Sequence, residues 1–386
     1  MKLEIIQGNT LDIMPKLPAE SIDLCITSPP YWGLRAYGTE QQTFGGKAEC
    51  EHEWEEIETT RPNQAGGQNT GIIELLQKQT AVDYSHRVSI SNKCRLCGAW
   101  RGEYGNEPTM EAYLDNTMRW VHEVWRVLKP TGSFVLNIGD CFYGSWGGGY
   151  DRELKVKGNA ETQPYGALGL KNPLRTSNFY KSKQLLSVSS FAYCRIVSET
   201  DFVCRGEHIW AKPNVPSPIR SRLKHSHEKL FWFVKDADRN YFDAKPWMKK
   251  CGSDLRKVNW ANGQDYALNH PSRRLADTGK RNNDETIEHS WRIVPVGAKQ
   301  SGFELNGKVA SEHVAPFPEN LIAPYIQSLC PHDGTVLDPF VGSGTTMRVA
   351  QENHRSAVGI DLNEKSIAYL KKRLNWGAGL GVDYLE

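Results

Sequence analysis

"VLDPFVGSGTT", residues 336–346, ends an apolar run at Asp338-Pro339 and then turns through Gly342 and Gly344 into the helix-like run "TTMRVAQEN". A short apolar strand, a Gly-rich turn and a helix in that order make one unit of an open α/β sheet. Such sheets hold ligands in the crevice beyond the carboxyl ends of their strands, and glycines there let a ligand approach the backbone. Asp361 closes the next apolar run, "AVGID", 23 residues after Asp338. An acid at about that distance suits hydrogen bonds to ribose hydroxyls, so the spacing predicts a nucleoside-containing cofactor. The Gly-Lys-Ser/Thr ending of a P-loop is missing. On these residues alone, an ordinary tight strand-to-helix turn reads the same way.

Outward from that turn, strands and helices alternate. "FPENLIAPYIQSLC" and "NEKSIAYLKKRLN" have helical spacing on either side of it. In the N-terminal half, "KLEIIQGNT" and "DLCITS" read as strands around "LDIMPKLPAESI", a short helix broken by prolines. "EAYLDNTMRWVHEVWRVLKPTG" is a helix that Lys-Pro-Thr-Gly stops, "SFVLNIGD" a strand and "KQLLSVSSFAYCRIV" a helix. "GEHIWAKP" and "KLFWFVKD" are strands. Alternation of this kind predicts a parallel α/β sheet.

The chain has 386 residues, more than one compact core usually holds, so insertions or further domains are expected. Hydrophobic residues are 39% and charged residues 24%, as in a soluble globular protein. The net charge of +2 announces no nucleic-acid partner, so any basic surface must be local. No apolar run could span a bilayer, and "MKLEIIQGNTLDI" lacks the layout of a signal peptide. Nine cysteines, an odd number on a long chain, fit reduced thiols in a cytoplasm.

"TSPPYWG", residues 27–33, ends the "DLCI" strand with two prolines and two aromatics. Together with "LDPFVGSGTT" it resembles the catalytic and cofactor motifs of the amino-group DNA methyltransferases, which use S-adenosylmethionine (AdoMet) to methylate N4 of cytosine or N6 of adenine. The family's catalytic tetrapeptide matches Ser28, Pro29, Pro30 and Tyr31, and its Phe-x-Gly-x-Gly motif matches Phe340, Gly342 and Gly344, followed by Thr345. The catalytic motif precedes the cofactor motif, which is similar to the permuted beta class. That resemblance implies a class I, Rossmann-like fold with a mixed, mostly parallel seven-stranded sheet. It implies cofactor contacts at Asn9, Phe317, Pro318, Asp338, Phe340, Gly342, Gly344, Thr345 and Asp361, and it places Asp140 at the tip of the strand after the catalytic motif. Ser28 Oγ and the Pro29 carbonyl would accept the amino protons, and Tyr31 would stack on a flipped base. The family's serine variant is commoner among N4-cytosine enzymes, so cytosine is the expected base and adenine the alternative. RNA or protein-amide substrates, and a DNA-binding module with a dead methylase fold, are the other readings. The resemblance implies double-stranded DNA as partner and either a restriction–modification enzyme, with a cognate restriction endonuclease acting separately, or a phage-borne solitary methylase, in the cytoplasm of a prokaryote or a phage-infected host.

The expected organisation is a catalytic half at 1–44, an insertion at 45–105, and a continuation of the catalytic half at 106–235 with a mobile Gly- and Asn-rich loop at 143–180. A target-recognition region at 236–310 and an AdoMet-binding half at 311–386 complete it. In the insertion, Cys50 and His52 in "CEH" and Cys94 and Cys97 in "CRLC" could make a structural zinc site, Cys-x2-Cys being a common half of one. Four unrelated reduced side chains are the alternative. From Lys212 to Arg256 the chain carries eleven Lys/Arg against five Asp/Glu, and "RSRLKHSHEK" makes Arg220, Arg222 and Lys224 candidates for phosphate contacts.

Overall fold

The computed structural model of the chain describes residues 1–34, 39–47, 49–62, 84–143, 180–181, 183–212, 222–223, 225–243, 245–250, 285–287, 291–292, 304–305, 308–309, 317–374 and 383–385. Strand β1 (Lys2–Gln7) leads into one turn of helix, α1 (Thr10–Ile13), and a 3-10 turn at Met14–Lys16. Pro15 and Pro18 keep this helix short, as expected. Strand β2 (Ile22–Thr27) is buried along its whole length, as an interior strand covered on both faces must be.

The long helix α2 (Met110–Val127) starts at Thr109, whose side chain accepts from the Ala112 N–H, and its apolar face buries Tyr113, Leu114, Met118, Val121 and Val124. Strand β7 (Leu128–Ile138) follows without a loop. Lys129-Pro130-Thr131-Gly132, read from sequence as the stop of the helix, therefore lies inside the strand. Proline ends a helix but is tolerated near the start of a strand, where the ladder is irregular; the β2–β7 register does shift between Ile22 and Leu24. Lys129 repays its place by an ion pair with the buried Asp23 at 2.8 Å, and Asp23 also accepts from the Thr335 N–H.

Helix α3 (Val188–Glu199) and strands β8 (Val203–Ala211) and β9 (His227–Val234) complete this half. The C-terminal half runs α4 (Glu319–Leu329), β15 (Thr335–Asp338), α5 (Thr345–Glu352), β16 (Ser356–Asp361) and α6 (Glu364–Arg373), with a last strand β17 (Asp383–Leu385). Between the halves lie β10 (Met248–Lys250) paired with β11 (Glu285–Ile287), β12 (Trp291–Arg292), and β13 (Glu304–Leu305) paired with β14 (Lys308–Val309).

Among the described residues the main sheet has the order β12–β8–β9–β7–β2–β15–β16–β1–β17. The expected seven strands run from β8 to β1, and the short β12 and β17 extend the two edges. Pairing is parallel except where β9 meets β7 and β8. Alternate residues go to opposite faces. Cys25, Phe134, Leu136 and Ile138 join a core with α2 and α3, while Leu24, Ile26 and Val135 join a second core with α4, α5 and α6. The result is a three-layer sandwich with β2 and β15 side by side at its centre.

The insertion folds as a separate antiparallel sheet in the order β3–β6–β5–β4, from β3 (Gln42–Phe44), β4 (Trp54–Pro62), β5 (Tyr84–Cys94) and β6 (Trp100–Gly102). The β3–β6 pair, with Phe44 opposite Trp100, brings the two ends of this sheet's stretch of chain together. Nearly all of the loop expected at 143–180, and most of the region expected at 236–310, lie outside the described residues.

Candidate active site and metal centre

The carboxyl ends of β2 and β15 are joined by one hydrogen bond. Thr27 Oγ1 donates to Asp338 Oδ1 at 2.6 Å across 311 positions of sequence. The same carboxylate accepts from the Phe340 N–H (3.1 Å) and from Thr346 Oγ1 (2.6 Å). Asp338 is 2% exposed. The structure thus gives Asp338, expected among the cofactor contacts, the work of tying strand, turn and helix α5 together. Burial pushes its carboxyl up to about 6 against these three bonds.

Beyond that tie the chain makes the Gly-Ser-Gly turn. Gly342 (φ +50°) and Gly344 (φ +78°) carry the turn through the left-handed region. Gly344 also faces Leu370, where a Cβ would come within 2.6 Å of Cγ, so its glycine serves packing against α6. Asp361 Oδ2 accepts from the Gly342 N–H (2.9 Å) and Oδ1 from the Asn363 N–H (2.8 Å). Burial raises its carboxyl above the usual range, and those two bonds oppose the rise. Each oxygen keeps a lone pair for a hydroxyl. Asn9 caps α1 beside it, while the Gly8 N–H donates to the Asp361 carbonyl and Thr10 Oγ1 to the Pro339 carbonyl. The three loops that end β1, β15 and β16 therefore meet at one mouth, and the acceptor lone pairs of Asp361 there suit the hydroxyls of a nucleoside.

Phe317 and Pro318 precede α4, with Phe317 packed into the second core. Phe340 stacks on Tyr104 (5.6 Å between ring centres) and meets Trp120 edge-on (5.3 Å). Thr345 is 3% exposed, and its hydroxyl accepts from Arg373 Nη1 at 2.9 Å. Arg373 was not legible in the sequence. It is buried at the end of α6 and reaches under the turn to the Ser343 carbonyl (3.1 Å) and to Glu319 (2.6 Å), which clamps the Gly-Ser-Gly stretch from below.

The Ser-Pro-Pro-Tyr turn leaves β2 at the same edge. Its backbone is fixed from the helix side, since Tyr113 Oη donates to the Pro30 carbonyl at 3.0 Å. The stem of the insertion holds it from the other side. The Gly33 N–H donates to the Gly105 carbonyl (2.7 Å) and Trp32 Nε1 to the Glu107 carbonyl (2.9 Å). Glu107 is fully buried, accepts from Gly105 N–H and Asn116 Nδ2, and is pushed up to about 7 by that burial. Tyr31 packs against Gly139, where a Cβ would come within 2.7 Å of the ring. Its hydroxyl accepts from Ser28 Oγ (3.0 Å) and lies 3.0 Å from Asn137 Oδ1 and 2.9 Å from Glu228 Oε2. Asn137 and Glu228 come from strands β7 and β9, so only pairing of those strands brings them to the motif. Asp140, at the end of β7, turns both carboxylate oxygens to Ser189.

In the insertion, Cys50, His52, Cys94 and Cys97 converge, with their donor atoms all within 4.8 Å of one another. Cys50 and Cys94 sulfurs are 3.9 Å apart, and Cys97 Sγ is 3.4 Å from His52 Nδ1. Tetrahedral zinc with Zn–S near 2.3 Å sets sulfurs about 3.8 Å apart, so the cluster has the right size. Desolvation pushes the Cys94 thiol up, but the N–H groups of Cys97 and Leu96 and the His52 ring outweigh it and bring it down to about 6. Gly46 packs on Cys97, leaving no room for a side chain.

Of the expected phosphate contacts, Arg220 and Lys224 lie outside the described residues. Arg222 is half-buried with its guanidinium 3.3 Å above the Phe142 ring. Among the described residues no helix is long and apolar enough to cross a membrane.

A sequence model of a family described as DNA methylase matches residues 22–372. The Type II methyltransferase M.XycI of Xanthomonas campestris pv. cyanopsidis is 26% identical over 379 residues, 96% of this chain and 87% of that protein. M.SmaI of Serratia marcescens is 25% identical over 372 residues, 96% and 90% of the two chains. The solved structure of the PvuII DNA methyltransferase (cytosine-N4-specific) covers 99% of this chain and 95% of its own, with a TM-score of 0.50 at 17% identity, a likeness of fold. The matched span takes in both the Ser-Pro-Pro-Tyr turn and the Gly-Ser-Gly turn that the Thr27–Asp338 bond joins, and the chain belongs to the DNA methylase family of N6 and N4 amino-methyltransferases.

Proposed function

We propose that the chain is the modification methylase of a Type II restriction–modification system, transferring a methyl group from AdoMet to N4 of cytosine in double-stranded DNA. The observation that carries the methyl-transfer reading is the meeting of the Ser28–Tyr31 turn and the Gly342–Asp361 mouth at adjacent strand ends. AdoMet, when bound, supplies an electrophilic methyl on a sulfonium. Asn9, Phe317, Pro318, Phe340, Gly342 and Asp361 are the residues that would hold it, with Asp338, Gly344, Thr345 and Arg373 keeping the turn in shape.

The chain's own part is to bring an unwilling nucleophile into line. An exocyclic amino lone pair is delocalised into the ring, and inside a duplex it is out of reach, so the nucleotide must be flipped at a cost of a few kcal/mol. Tyr31 offsets part of that by stacking. Ser28 Oγ and the Pro29 carbonyl accept the amino N–H groups and so aim the lone pair. The two prolines and the Tyr113 bond hold those acceptors in place before the base arrives. Cytosine is favoured by Ser28 at the first motif position, and the fold neighbour described as cytosine-N4-specific agrees with it. Arg220, Arg222 and Lys224 would meet phosphates, and the 236–310 region would read the bases. A separate cognate endonuclease is the implied partner.

The deciding experiment is transfer of labelled methyl to DNA followed by nucleoside analysis. N4-methylcytosine is the expected product. N6-methyladenine would change the base, and no incorporation into DNA of varied sequence would overturn the reading.

The Cys/His cluster is proposed as a structural zinc site that staples the insertion. Protein purified without chelator should carry about one zinc per chain, and Cys94→Ser should lose most of it. Wild-type protein essentially free of metal would remove the assignment.

A further inference from the structure

Tyr31 has one hydroxyl proton, yet its oxygen lies within hydrogen-bond distance of Ser28 Oγ, Asn137 Oδ1 and Glu228 Oε2. The Asn137 amide is oriented, because its Nδ2 donates to the Lys229 carbonyl at 3.1 Å, so Oδ1 faces Tyr31 and can only accept. The protons can then be placed in two ways. With Glu228 ionised, Ser28 donates to Tyr31 and Tyr31 donates to Glu228. With Glu228 protonated, Glu228 donates to Tyr31 and Tyr31 donates to Asn137. Both arrangements use the same heavy-atom positions. The set can therefore take up one extra proton without rebuilding itself. The other oxygen of Glu228 is anchored by Lys212, whose ammonium lies 3.8 Å over the Trp210 ring, and this leaves Oε2 for Tyr31. Asp140, just past the end of β7, is occupied by Ser189.

Methylation of an amino group needs such an outlet. The nitrogen arrives with two protons and leaves with one. We propose that Ser28, Tyr31 and Glu228 form the proton exit of the methyl-transfer step, with Glu228 as the terminal acceptor acting through Tyr31; this rests on the reading of the Ser28–Tyr31 turn given above. As the N–CH3 bond forms, the S–CH3 bond breaks and its electron pair goes to sulfur. The N–H bond then breaks with its pair left on nitrogen. That proton goes to Ser28 Oγ, the Ser28 proton to Tyr31 Oη, and the Tyr31 proton to Glu228 Oε2. A sulfonium and a carboxylate become a thioether and a carboxylic acid, so charge balances. The relay serves any exocyclic amino group, cytosine or adenine.

The test is the single-turnover rate of methyl transfer, in H2O and D2O, for Glu228→Gln, Tyr31→Phe and the double variant. AdoMet and DNA affinities are measured alongside. Glu228→Gln keeps shape and hydrogen bonding but cannot hold the proton. Tyr31→Phe keeps the stacking ring. Each should slow the step by about ten- to hundredfold, at or below the lower end of general acid–base effects. The double variant should be no slower than the slower single one, both affinities should stay within about threefold, and the wild-type solvent deuterium effect should disappear. Glu228→Gln at the wild-type rate, or losses that multiply in the double variant, would overturn the relay. If Glu228→Gln fails to fold, seen as lost AdoMet binding, Tyr31→Phe at the wild-type rate overturns it by itself. Wild-type protein that methylates no DNA would overturn the methyl-transfer reading instead.

Discussion

Tyr31→Ala should lower the single-turnover rate of methyl transfer by several hundredfold while AdoMet affinity stays within a few fold. The ring is braced from below by Gly139, and its hydroxyl is held by Ser28, Asn137 and Glu228, so it is set before any base arrives. Base–aromatic stacking is worth about 1–3 kcal/mol, which alone is roughly 5- to 150-fold. Truncation also removes the hydroxyl that lies against Glu228 Oε2 and Asn137 Oδ1 and donates to one of them in a partly buried pocket, at a further cost of about 1–3 kcal/mol. The cofactor mouth is built on the loops after β1, β15 and β16, and none of these carries a partner of the Tyr31 hydroxyl. That separation is why the two quantities should part. Isothermal titration with AdoMet beside quenched-flow transfer measures both. An equal loss of affinity and rate would mean that Tyr31 helps to form the cofactor mouth, and that the base pocket lies elsewhere.

The fold was legible where sequence pattern and local physics agree. The Gly-Ser-Gly turn, the Ser-Pro-Pro-Tyr turn and the order of the two were enough for the sheet and the family. The lost detail has a common cause: side chains brought together only by strand pairing. Nothing near Tyr31 in sequence points to Glu228, 197 positions away, and the contact exists because β7 and β9 run antiparallel beside β2. Arg373 is equally silent, an unremarked cation in "KKRLN" until α6 folds back on the glycine turn. The motif also left a second role unread. Asp338 and Thr345 look like ligand contacts by position, and the structure adds that both side chains also hold the turn. The Cys/His spacing, by contrast, was readable because Cys-x2-Cys needs no tertiary information. Glu107 was not, since its burial depends on the insertion stem docking against the catalytic turn.

Asp338→Asn should raise stability at pH 7 and remove a pH dependence that the wild type shows between about pH 4 and 6. The ordinary carboxyl value is 3.8, and burial raises the folded one to about 6. A raised carboxyl means that the native state binds the proton more tightly than the unfolded chain. Its contribution is therefore fully present below the unfolded value and is lost as pH rises through the folded one. The difference amounts to about 3 kcal/mol at pH 7, an upper figure for a carboxylate held by three hydrogen bonds. Asparagine keeps an oxygen for Thr27 and for the Phe340 N–H, and the Thr346 hydroxyl can rotate to accept from the amide. Asp338→Ala keeps none of these partners and should instead destabilise by about 2–4 kcal/mol. Urea unfolding of the wild type and both variants at pH 4.5 and 7 separates the cases. The wild type should lose stability over that interval relative to Asp338→Asn, and the reverse slope would show that its carboxyl is depressed. AdoMet affinity of the asparagine variant then decides between the two roles open to this residue. Within about threefold of wild type, Asp338 acts by shaping the turn; a large loss in a fully folded variant would put the carboxylate on the cofactor itself.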